Sequence, residues 1–530
     1  MGTVAVAGTA YTQISTCDTT TAGGAWSGTT PTADTGAFKE GAGSLSFIVK
    51  TSGNNDMIFT PTTPVNLLNK HLRFWIISTH GALLNTYAAG GIQIGLTGDS
   101  GTHQGFWLIS GKSGTYPYPG GWYNCVLDTS LAADSGTKPT DMTSISVITI
   151  RINLTGAGKN SANTWIDNIC VCDGLTVYGD NGGAYMDFDT INTKEETAVG
   201  GGWGVLRKIG GQYFLTGGLT FGDTAGTATK FQAKSQIAVF ENRKVASTLY
   251  GITVVDSGGG ASTTEFILGS KAGTAGIEGC VIRVQDSTQT PKFKIDGGTD
   301  ADVDNFKLYG TTFFDASTFK FPANSANVEV LNCNFETSDE VLATTCVIKN
   351  CNFISANDEG VALISGNTHN ITYSNFMNCP YGIRIPTAGT YSFNGLKFIN
   401  NTKDIDNTSG GTVHLDCSNL ADPTTYTGTV EIDNPVVLTL TSIASGSEVR
   451  IYTHGTTTEL DGIENTATAD PNDAAKTIFI YNYTYAASTY VDIAIHKADK
   501  IYYRIENYNL GTSNASLPIS QQTDRQYSNP

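Results

Sequence analysis

Three segments of the sequence, VEVLNCNF (328–335), CVIKNCNF (346–353) and HNITYSNF (369–376), share one pattern. Each ends in Phe, with an apolar residue five positions earlier and a small residue two positions earlier. Apolar residues at a spacing of two are typical of strands with one face inward, whereas a helix repeats them at three and four. Looser copies flank these segments: FKLYGTTF (306–313), YSFNGLKF (391–398) and VHLDCSNL (413–420).

Successive segment ends lie 22, 18, 23, 22 and 22 residues apart, which indicates one strand-bearing unit stacked on the next. In such a solenoid, equivalent strands pair in parallel about 4.8 Å apart, so Phe335, Phe353 and Phe376 are expected in one inner stack. The residue before the segment end is Asn in four copies: Asn334, Asn352, Asn375 and Asn419. Stacked Asn side chains can hydrogen-bond along the axis. Alternatively, these Asn residues serve only as turn formers.

The NCNF pairs, with the runs that begin at Gly360 (GVALI) and Gly382 (GIRI), resemble the right-handed parallel β-helix repeat of pectate-lyase-like proteins and phage tailspikes. The resemblance implies an architecture rather than an activity, because that fold carries lyases, hydrolases and inert binding proteins alike.

Composition places the chain among all-β proteins with many tight turns: 60 of its 530 residues are Gly, and helix-forming runs are almost absent. A formal net charge of -17 argues against nucleic-acid binding, which needs clusters of Lys and Arg. No apolar run approaches the length that spans a bilayer, and no secretory signal is recognisable. The ten Cys residues lie mostly at or beside inward strand positions, so we expect them to be small buried residues.

Residues 1–180 contain strand runs at the spacing of a β-sandwich. The phrases FKEGAGSLSF (38–47), GGWYNCVLD (120–128) and WIDNICV (165–171) resemble the order found in carbohydrate-binding jelly-roll modules. The resemblance implies sugar stacking on exposed aromatics, for which Trp107 and Trp122 are candidates, although core packing is the alternative. It also implies a structural calcium ion, with oxygen ligands from Glu40 and Asp167; no other cofactor is expected.

Residues 181–211 form a connector that caps the solenoid, with a helical turn or two expected between Tyr185 and Glu196. The parallel β-helix is expected over 212–430, from near Tyr213 to near Val430. Residues 431–530 return to sandwich-like strands and end in an extended tail. This last region resembles a small β-domain at the ends of phage virion proteins, which implies docking or oligomerisation.

Acidic residues follow the repeat Phe residues at the outward corners of neighbouring turns. Glu340 and Asp358, with Asp339 and Glu359 beside them, could form the paired carboxylates of a glycoside hydrolase. Repulsion between them would raise one pKa and supply an acid. Tyr381 could stack on a sugar. The alternative is that these acids are ordinary surface-turn residues.

Two functions follow. The first is a non-catalytic surface protein of a tailed-phage virion, made in the host cytoplasm, that contacts other virion proteins and adheres to host glycan, with a homotrimer as one possible assembly. The second is a tailspike-like polysaccharide depolymerase, hydrolase or lyase, that uses the acidic residues.

Overall fold

The computed structural model describes most of the chain, and all that follows concerns these residues: 4–49, 51–78, 83–111, 121–157, 163–197, 202–223, 227–241, 251–255, 264–272, 276–285, 293–297, 303, 305–322, 328–343, 346–363, 370–393, 395–416, 423–432, 435–484, 490–511 and 514–524. Within these ranges the protein is nearly all β, as predicted. The described helices are the α-helix Phe188–Glu196 and the 3₁₀ helices Tyr87–Ala89 and Asp99–Gly101.

The central part of the chain consists of three long sheets, here called the central stack. The first sheet has eleven strands, all parallel except the first pair. In order they are Ala5–Thr9, Gly174–Tyr178, Gly218–Phe221, Gly251–Val254, Phe293–Asp296, Ala316–Lys320, Val341–Ala343, Glu359–Leu363, Tyr381–Ile385, Lys403–Asn407 and Tyr426–Thr427.

The second sheet has nine strands, and its first pair is antiparallel. They are Leu206–Ile209, Gln212–Leu215, Ile237–Phe240, Val281–Val284, Thr312–Phe314, Asn334–Glu336, Asn352–Ile354, Asn375–Met377 and Lys397–Ile399. The third sheet is parallel and contains Thr229–Ala233, Thr264–Leu268, Asn305–Tyr309, Val328–Leu331, Val347–Lys349 and Asn370–Thr372. Two smaller sheets adjoin these: Gly389–Ser392, Thr412–Asp416 and Thr429–Ile432; and Ser270–Ala272 with Gly276–Glu278.

The predicted inner column of Phe residues is confirmed. Phe335 pairs with Phe353, and Phe353 with Phe376, with ring centroids 5.0 and 4.9 Å apart and planes within 6° of parallel. Phe313 and Phe398 extend the column at its two ends. The column belongs to one hydrophobic cluster that runs through the whole stack.

The Asn ladder is also confirmed as a hydrogen-bonded series. Asn352 Nδ2 donates to Asn334 Oδ1 at 2.7 Å, and Asn375 Nδ2 donates to Asn352 Oδ1 at 2.6 Å. Lys397 takes the next position in register and ends the series. The fourth predicted member, Asn419, lies outside the described residues, as does the segment end Leu420.

Each strand of the Phe column lies between two residues in the left-handed backbone region. Those before the strands are Gly310, Asn332, Asn350, Tyr373 and Gly395, and those after them are Asp315, Thr337, Ser355, Asn378 and Asn400. Gly and Asn adopt this conformation at low cost, which explains the first Asn of the NCN motif. Turn formation and ladder formation therefore belong to different Asn residues of one motif.

One boundary and one register differ from the sequence prediction. Parallel pairing already begins at Gly174–Tyr178, which lies beside Gly218–Phe221 and so precedes the expected start near Tyr213. The repeat places Leu415, five residues before Leu420, opposite Phe393, five residues before Phe398, but Leu415 pairs with Tyr391 instead. A slip of two residues keeps the same face inward, so the hydrophobic spacing cannot exclude it.

The helix Phe188–Glu196 confirms the helical turns expected between Tyr185 and Glu196. The Asp187 side chain caps it by accepting from the Thr190 N–H at 2.9 Å. Phe188 and Ile191 are buried, and the Phe188 ring packs edge-on against Phe231 at 5.1 Å. The helix therefore covers apolar surface at the start of the stack.

Two facing sheets near the N-terminus enclose a second hydrophobic cluster. One contains Tyr123–Asp128, His71–Ser78, Asn163–Val171, Ser44–Ile48, Pro31–Asp34 and Thr12–Ser15. The other contains Ser135–Gly136, His103–Ser110, Ile92–Gly98, Val147–Leu154, Gly53–Pro61 and Gly24–Gly28.

The C-terminal region has two four-stranded sheets around a third cluster. They are Ala469–Asp470, Asp473–Thr484, Pro435–Ala444 and Ala515–Pro518; and Glu459–Ile463, Glu448–Thr453, Tyr490–His496 and Tyr503–Asn509. The nine described Cys residues are all free and buried, as expected.

Replacement of Phe353 by Ala should lower the free energy of unfolding by about 3–5 kcal/mol, because it opens a cavity between two stacked rings. Urea unfolding followed by tryptophan fluorescence and circular dichroism measures the change. The matched control is Ile399→Ala at the end of the stack, where the side chain is 42% exposed and the loss should stay below about 1 kcal/mol. Equal losses in both variants would contradict the inner column as a source of stability.

Candidate functional site

The predicted acidic residues lie at two neighbouring corners of the first sheet. Asp339 and Glu340 precede the strand Val341–Ala343, and Asp358 precedes Glu359–Leu363. The backbone N–H of Asp358 donates to the Asp339 carbonyl at 3.1 Å, so the corners themselves continue the ladder. The structure therefore brings these carboxyls into neighbouring turns, as expected. We call Asp339, Glu340, Asp358 and Glu359 the acidic corner.

Glu340 shows the predicted electrostatic effect. Partial burial raises the pKa of the Glu340 carboxyl, the neighbouring Asp358 raises it further, and Arg384 acts in the opposite direction. Asp358 is exposed, and Asp339 accepts a 2.7 Å hydrogen bond from Asn357 Nδ2. Burial and the neighbouring carboxyl thus favour the protonated form of Glu340.

Glu359 has a different environment, since its side chain is fully buried. It forms an ion pair with Arg384, whose Nε also lies 2.9 Å from Asp406 Oδ2. Arg384 and Asp406 come from successive turns and pair directly in the ladder. Sequence reasoning did not identify this arrangement, although the offset of 22 residues between Arg384 and Asp406 could have shown it. Glu359 is therefore a structural carboxylate with a committed partner.

Tyr381 lies in the same column as Glu359 and Lys403. Its side chain is half-buried, and the Arg384 guanidinium lies 5.7 Å from the ring centroid. One face of the Tyr381 ring thus lies near a cation. Stacking of a sugar on Tyr381 stays a prediction.

The two candidate tryptophans differ in exposure. Trp107 is fully buried and donates from Nε1 to the Leu131 carbonyl at 3.2 Å, which corresponds to the core packing given as the alternative to sugar contact. Its place on the inner face of a sheet could not be read from residue type. Trp122 is half-buried, and its role in sugar binding stays a prediction.

Glu40 and Asp167 lie close together. Asp167 Oδ2 accepts the backbone N–H groups of Lys39 and Glu40, each at 2.8 Å, while Asp167 Oδ1 is buried without a hydrogen-bond partner. The two carboxyl groups together have four oxygens, one of which already accepts two backbone N–H groups, and this falls short of the six to eight oxygens that calcium takes. Across the described residues, no group of three or more His, Cys, Asp or Glu side chains could hold a metal ion. These side chains alone do not fit calcium, and its binding stays a prediction.

The same acids lie at the junction between the N-terminal sheets and the central stack. Burial raises the pKa of Glu40 to about 7 and that of Asp167 to about 6. Glu195, on the capping helix, accepts backbone N–H groups of Val205 and Leu206 at 2.8 Å each, yet burial raises its pKa to about 7. The buried Arg73 completes the junction by donating from Nη2 to the Thr216 carbonyl at 2.7 Å.

None of the helices in the described ranges has the length and apolar character needed to cross a bilayer.

Arg384→Met should destabilise the protein by about 3–5 kcal/mol, because it leaves the buried Glu359 carboxylate without a counter-charge. The double variant Arg384→Met/Glu359→Gln should recover most of that loss. Chemical denaturation of the two single variants and the double variant measures the coupling. Additive losses would show that the pair does not interact.

Stability should fall as the pH rises from about 5 to 8. The folded pKa of Glu195 lies above its ordinary value of 4.5, so the stabilisation from its bound proton is complete below about pH 4.5 and is lost as the pH passes about 7. Thermal unfolding of the wild type and Glu195→Gln across this range measures the effect. The variant should lose on the order of 2 kcal/mol of the pH dependence; an unchanged pH profile would contradict a protonated Glu195.

No protein-family model and no curated protein matches the chain. Solved structures with partial likeness include an exo-β-agarase, at 13% identity and a TM-score of 0.23 over 30% of this chain and 25% of that one. A family 11 carbohydrate-binding module from Clostridium thermocellum, in complex with a β-1,3-1,4-mixed-linked tetrasaccharide, aligns over 28% of this chain and 88% of its own at 12% identity, with a TM-score of 0.20. The catalytic domain of a GH87 α-1,3-glucanase in complex with nigerose aligns over 82% of this chain and 81% of its own, also at 12% and 0.20. This chain spans only a quarter of the agarase, and at these TM-scores no shared activity follows.

Proposed function

We propose that the chain is a non-catalytic structural protein of a phage virion surface, with a head-decoration, fibre or tail role. The central stack is a right-handed parallel β-helix that acts as a stiff spacer. An N-terminal jelly roll and a C-terminal β-sandwich flank it, and these contact other virion proteins or host glycan. A homotrimer is one assembly compatible with this role. The phage assignment rests on the sequence resemblance of the repeats.

The observation that carries the structural role is the continuous parallel pairing of the first sheet. Its ten parallel strands, at about 4.8 Å each, give a rod on the order of 45 Å long. The interior is filled by stacked rings, which leaves it little freedom to bend. Such a rod suits the task of holding two end modules apart.

The acidic corner supports the same conclusion. Glu359 is paired inside the stack with Arg384, which also opposes the rise in the pKa of Glu340 that burial and Asp358 cause. A single observation favours depolymerase activity as a second candidate: Glu340, whose pKa is raised, lies beside the exposed Asp358, which is the arrangement of a general acid next to a second carboxyl group.

Incubation with host capsular polysaccharide or lipopolysaccharide distinguishes the two functions. We expect no new reducing ends and no unsaturated sugar products from the wild type, because the acidic corner is structural. We expect the purified chain to bind virus particles that lack it, measured by co-sedimentation.

Sugar release would contradict this proposal if it fell about 100-fold in Glu340→Gln or Asp358→Asn. The matched control is Glu336→Gln, a half-buried carboxyl on the second sheet whose ladder partners are Phe314 and Ile354 and not Glu340 or Asp358. Release that persists unchanged in all three variants would point to a contaminating enzyme.

A further inference from the structure

The C-terminal region contains an open cavity of about 570 Å³ that none of the predictions above uses. Besides Gly455, it is lined by six residues: His454, Thr456, Thr457, Asp492, Arg504 and Glu506. These residues come from three places: the turn after Glu448–Thr453, the strand Tyr490–His496 and the strand Tyr503–Asn509. Four of the six carry titratable side chains, and all six are polar.

Asp492 forms the floor of this cavity and is only 3% exposed. Its Oδ1 accepts from the Asn507 N–H at 2.8 Å and lies 2.7 Å from His454 Nδ1. Its Oδ2 accepts from the Gly455 N–H at 3.2 Å and lies 3.6 Å from Arg504 Nη2. The hydrogen bond with His454 is the main cause that lowers the pKa of Asp492 to about 2, so the carboxylate is ionised.

An irregularity in strand pairing lies beside Asp492 and positions one of the groups that contact it. The pairing of Tyr490–His496 with Tyr503–Asn509 shifts register between Val491 and Ile493, beside Asp492. Asn507, opposite this irregularity, has a φ of +58° and turns its N–H onto the carboxylate. Such bulges commonly re-aim side chains next to functional sites.

His454 is fixed by this floor but remains open to the cavity, since 43% of its side chain is exposed. An ionised Asp492 at Nδ1 places the proton on that nitrogen and directs Nε2 away from the carboxylate. Within the described part of the chain, neither Nε2 of His454 nor the hydroxyl of Thr457 has a hydrogen-bond partner. Both groups are therefore available to a ligand.

The charges in the cavity nearly cancel. Arg504 Nε lies 3.2 Å from Glu506 Oε1, and both side chains are well exposed. With a neutral His454 the four titratable groups sum to -1, and with a protonated one they sum to zero. A dedicated anion site would have excess positive charge, while a cation site would need carboxylate oxygens that Asp492 has already committed. Adjacent donors and acceptors instead match hydroxyl groups, each of which both donates and accepts.

We propose that this cavity binds a neutral saccharide unit through His454, Thr457 and the Arg504–Glu506 pair. This inference deepens the proposed function and rests on it in one respect, that the C-terminal region contacts glycan. Its test by binding of small glycosides is separate from the particle-binding test above, so the failure of one can be told from the failure of the other.

The test uses the full chain and the methyl glycosides of glucose, galactose and N-acetylglucosamine, with glucuronate and inorganic phosphate as charged probes. Binding is followed by isothermal titration calorimetry and by the imidazole proton signals of His454 in NMR. We expect at least one neutral glycoside to shift the His454 signals, with a Kd in the millimolar range typical of a single small unit. His454→Gln, Glu506→Gln and Thr457→Val should each weaken binding, by about tenfold for the first two.

Matched controls are His496→Gln and Glu464→Gln, which change the same residue types on exposed surface of the same region away from the cavity. Both should bind as the wild type does. Circular dichroism and thermal unfolding establish that each variant is folded. If His454→Gln is not folded, Thr457→Val, which changes one exposed hydroxyl, takes its place in the test.

Three results would overturn the proposal. The first is that the neutral glycosides fail to shift the His454 signals, and the second is that the cavity variants bind them as tightly as the wild type. The third is that glucuronate or phosphate binds more tightly than every neutral glycoside, which would make this an anion site.

Discussion

Register between successive turns is the constraint on which the rest of the structure depends. Parallel pairing places each residue beside its equivalent one turn away, so a side chain that suits the position is repeated along a column. Inside the stack this repetition gives rings about 5 Å apart, as between Phe335 and Phe353. Outside, it gives the Asn ladder, in which the central amide, that of Asn352, both donates and accepts. Residues in the left-handed backbone region lie on either side of these strands, so the chain bends at the equivalent position in each turn.

Charged residues cannot be repeated in this way, because like charges directly opposite each other repel. In the first sheet, each charged residue has a neutral or oppositely charged neighbour along its column. One column runs from Ala362 through Arg384 to Asp406 in successive turns. In another, Tyr381 lies between Glu359 and Lys403. Arg384 contacts carboxylates on both sides, from the turn before and the turn after. The ladder that stacks aromatic rings thus also fixes which ion pairs can form.

The spacing of residues in the sequence was sufficient to predict strand pairing where the same residue type recurs at one position of the repeat, and insufficient where it does not. The columns of Phe335 and Asn334 could be predicted because the same residue type recurs at the repeat length. The pairing of Leu415 could not, since a two-residue slip leaves the apolar face inward. The early start at Gly174–Tyr178 was missed because a five-residue strand has the same pattern whether its partner is parallel or antiparallel.

Residue type alone also failed to predict two kinds of site. Trp107 has the ring expected of a sugar contact, but exposure depends on which face of the sheet it occupies, and it faces the core. His454 and Asp492 lie 38 residues apart and are brought together by the pairing of Glu448–Thr453 with Tyr490–His496, in which Thr453 lies opposite Val491. Such a pair has no signature in spacing, because it depends on which strands pair and in which register.

The acidic corner shows how register separates structural carboxyls from available ones. Glu359 is the first residue of its strand and is drawn into the stack, where Arg384 neutralises it. Glu340 and Asp358 stay nearer to solvent, and Glu340 feels opposing influences from Asp358 and Arg384. Burial and Asp358 each act more strongly on the pKa of Glu340 than Arg384 does, so that pKa is raised on balance. Because Glu359 and Asp406 already hold the Arg384 guanidinium in place, its opposing influence on Glu340 is fixed. Register thus decides which carboxyl of the corner is paired inside the stack and which keeps a raised pKa nearer to solvent.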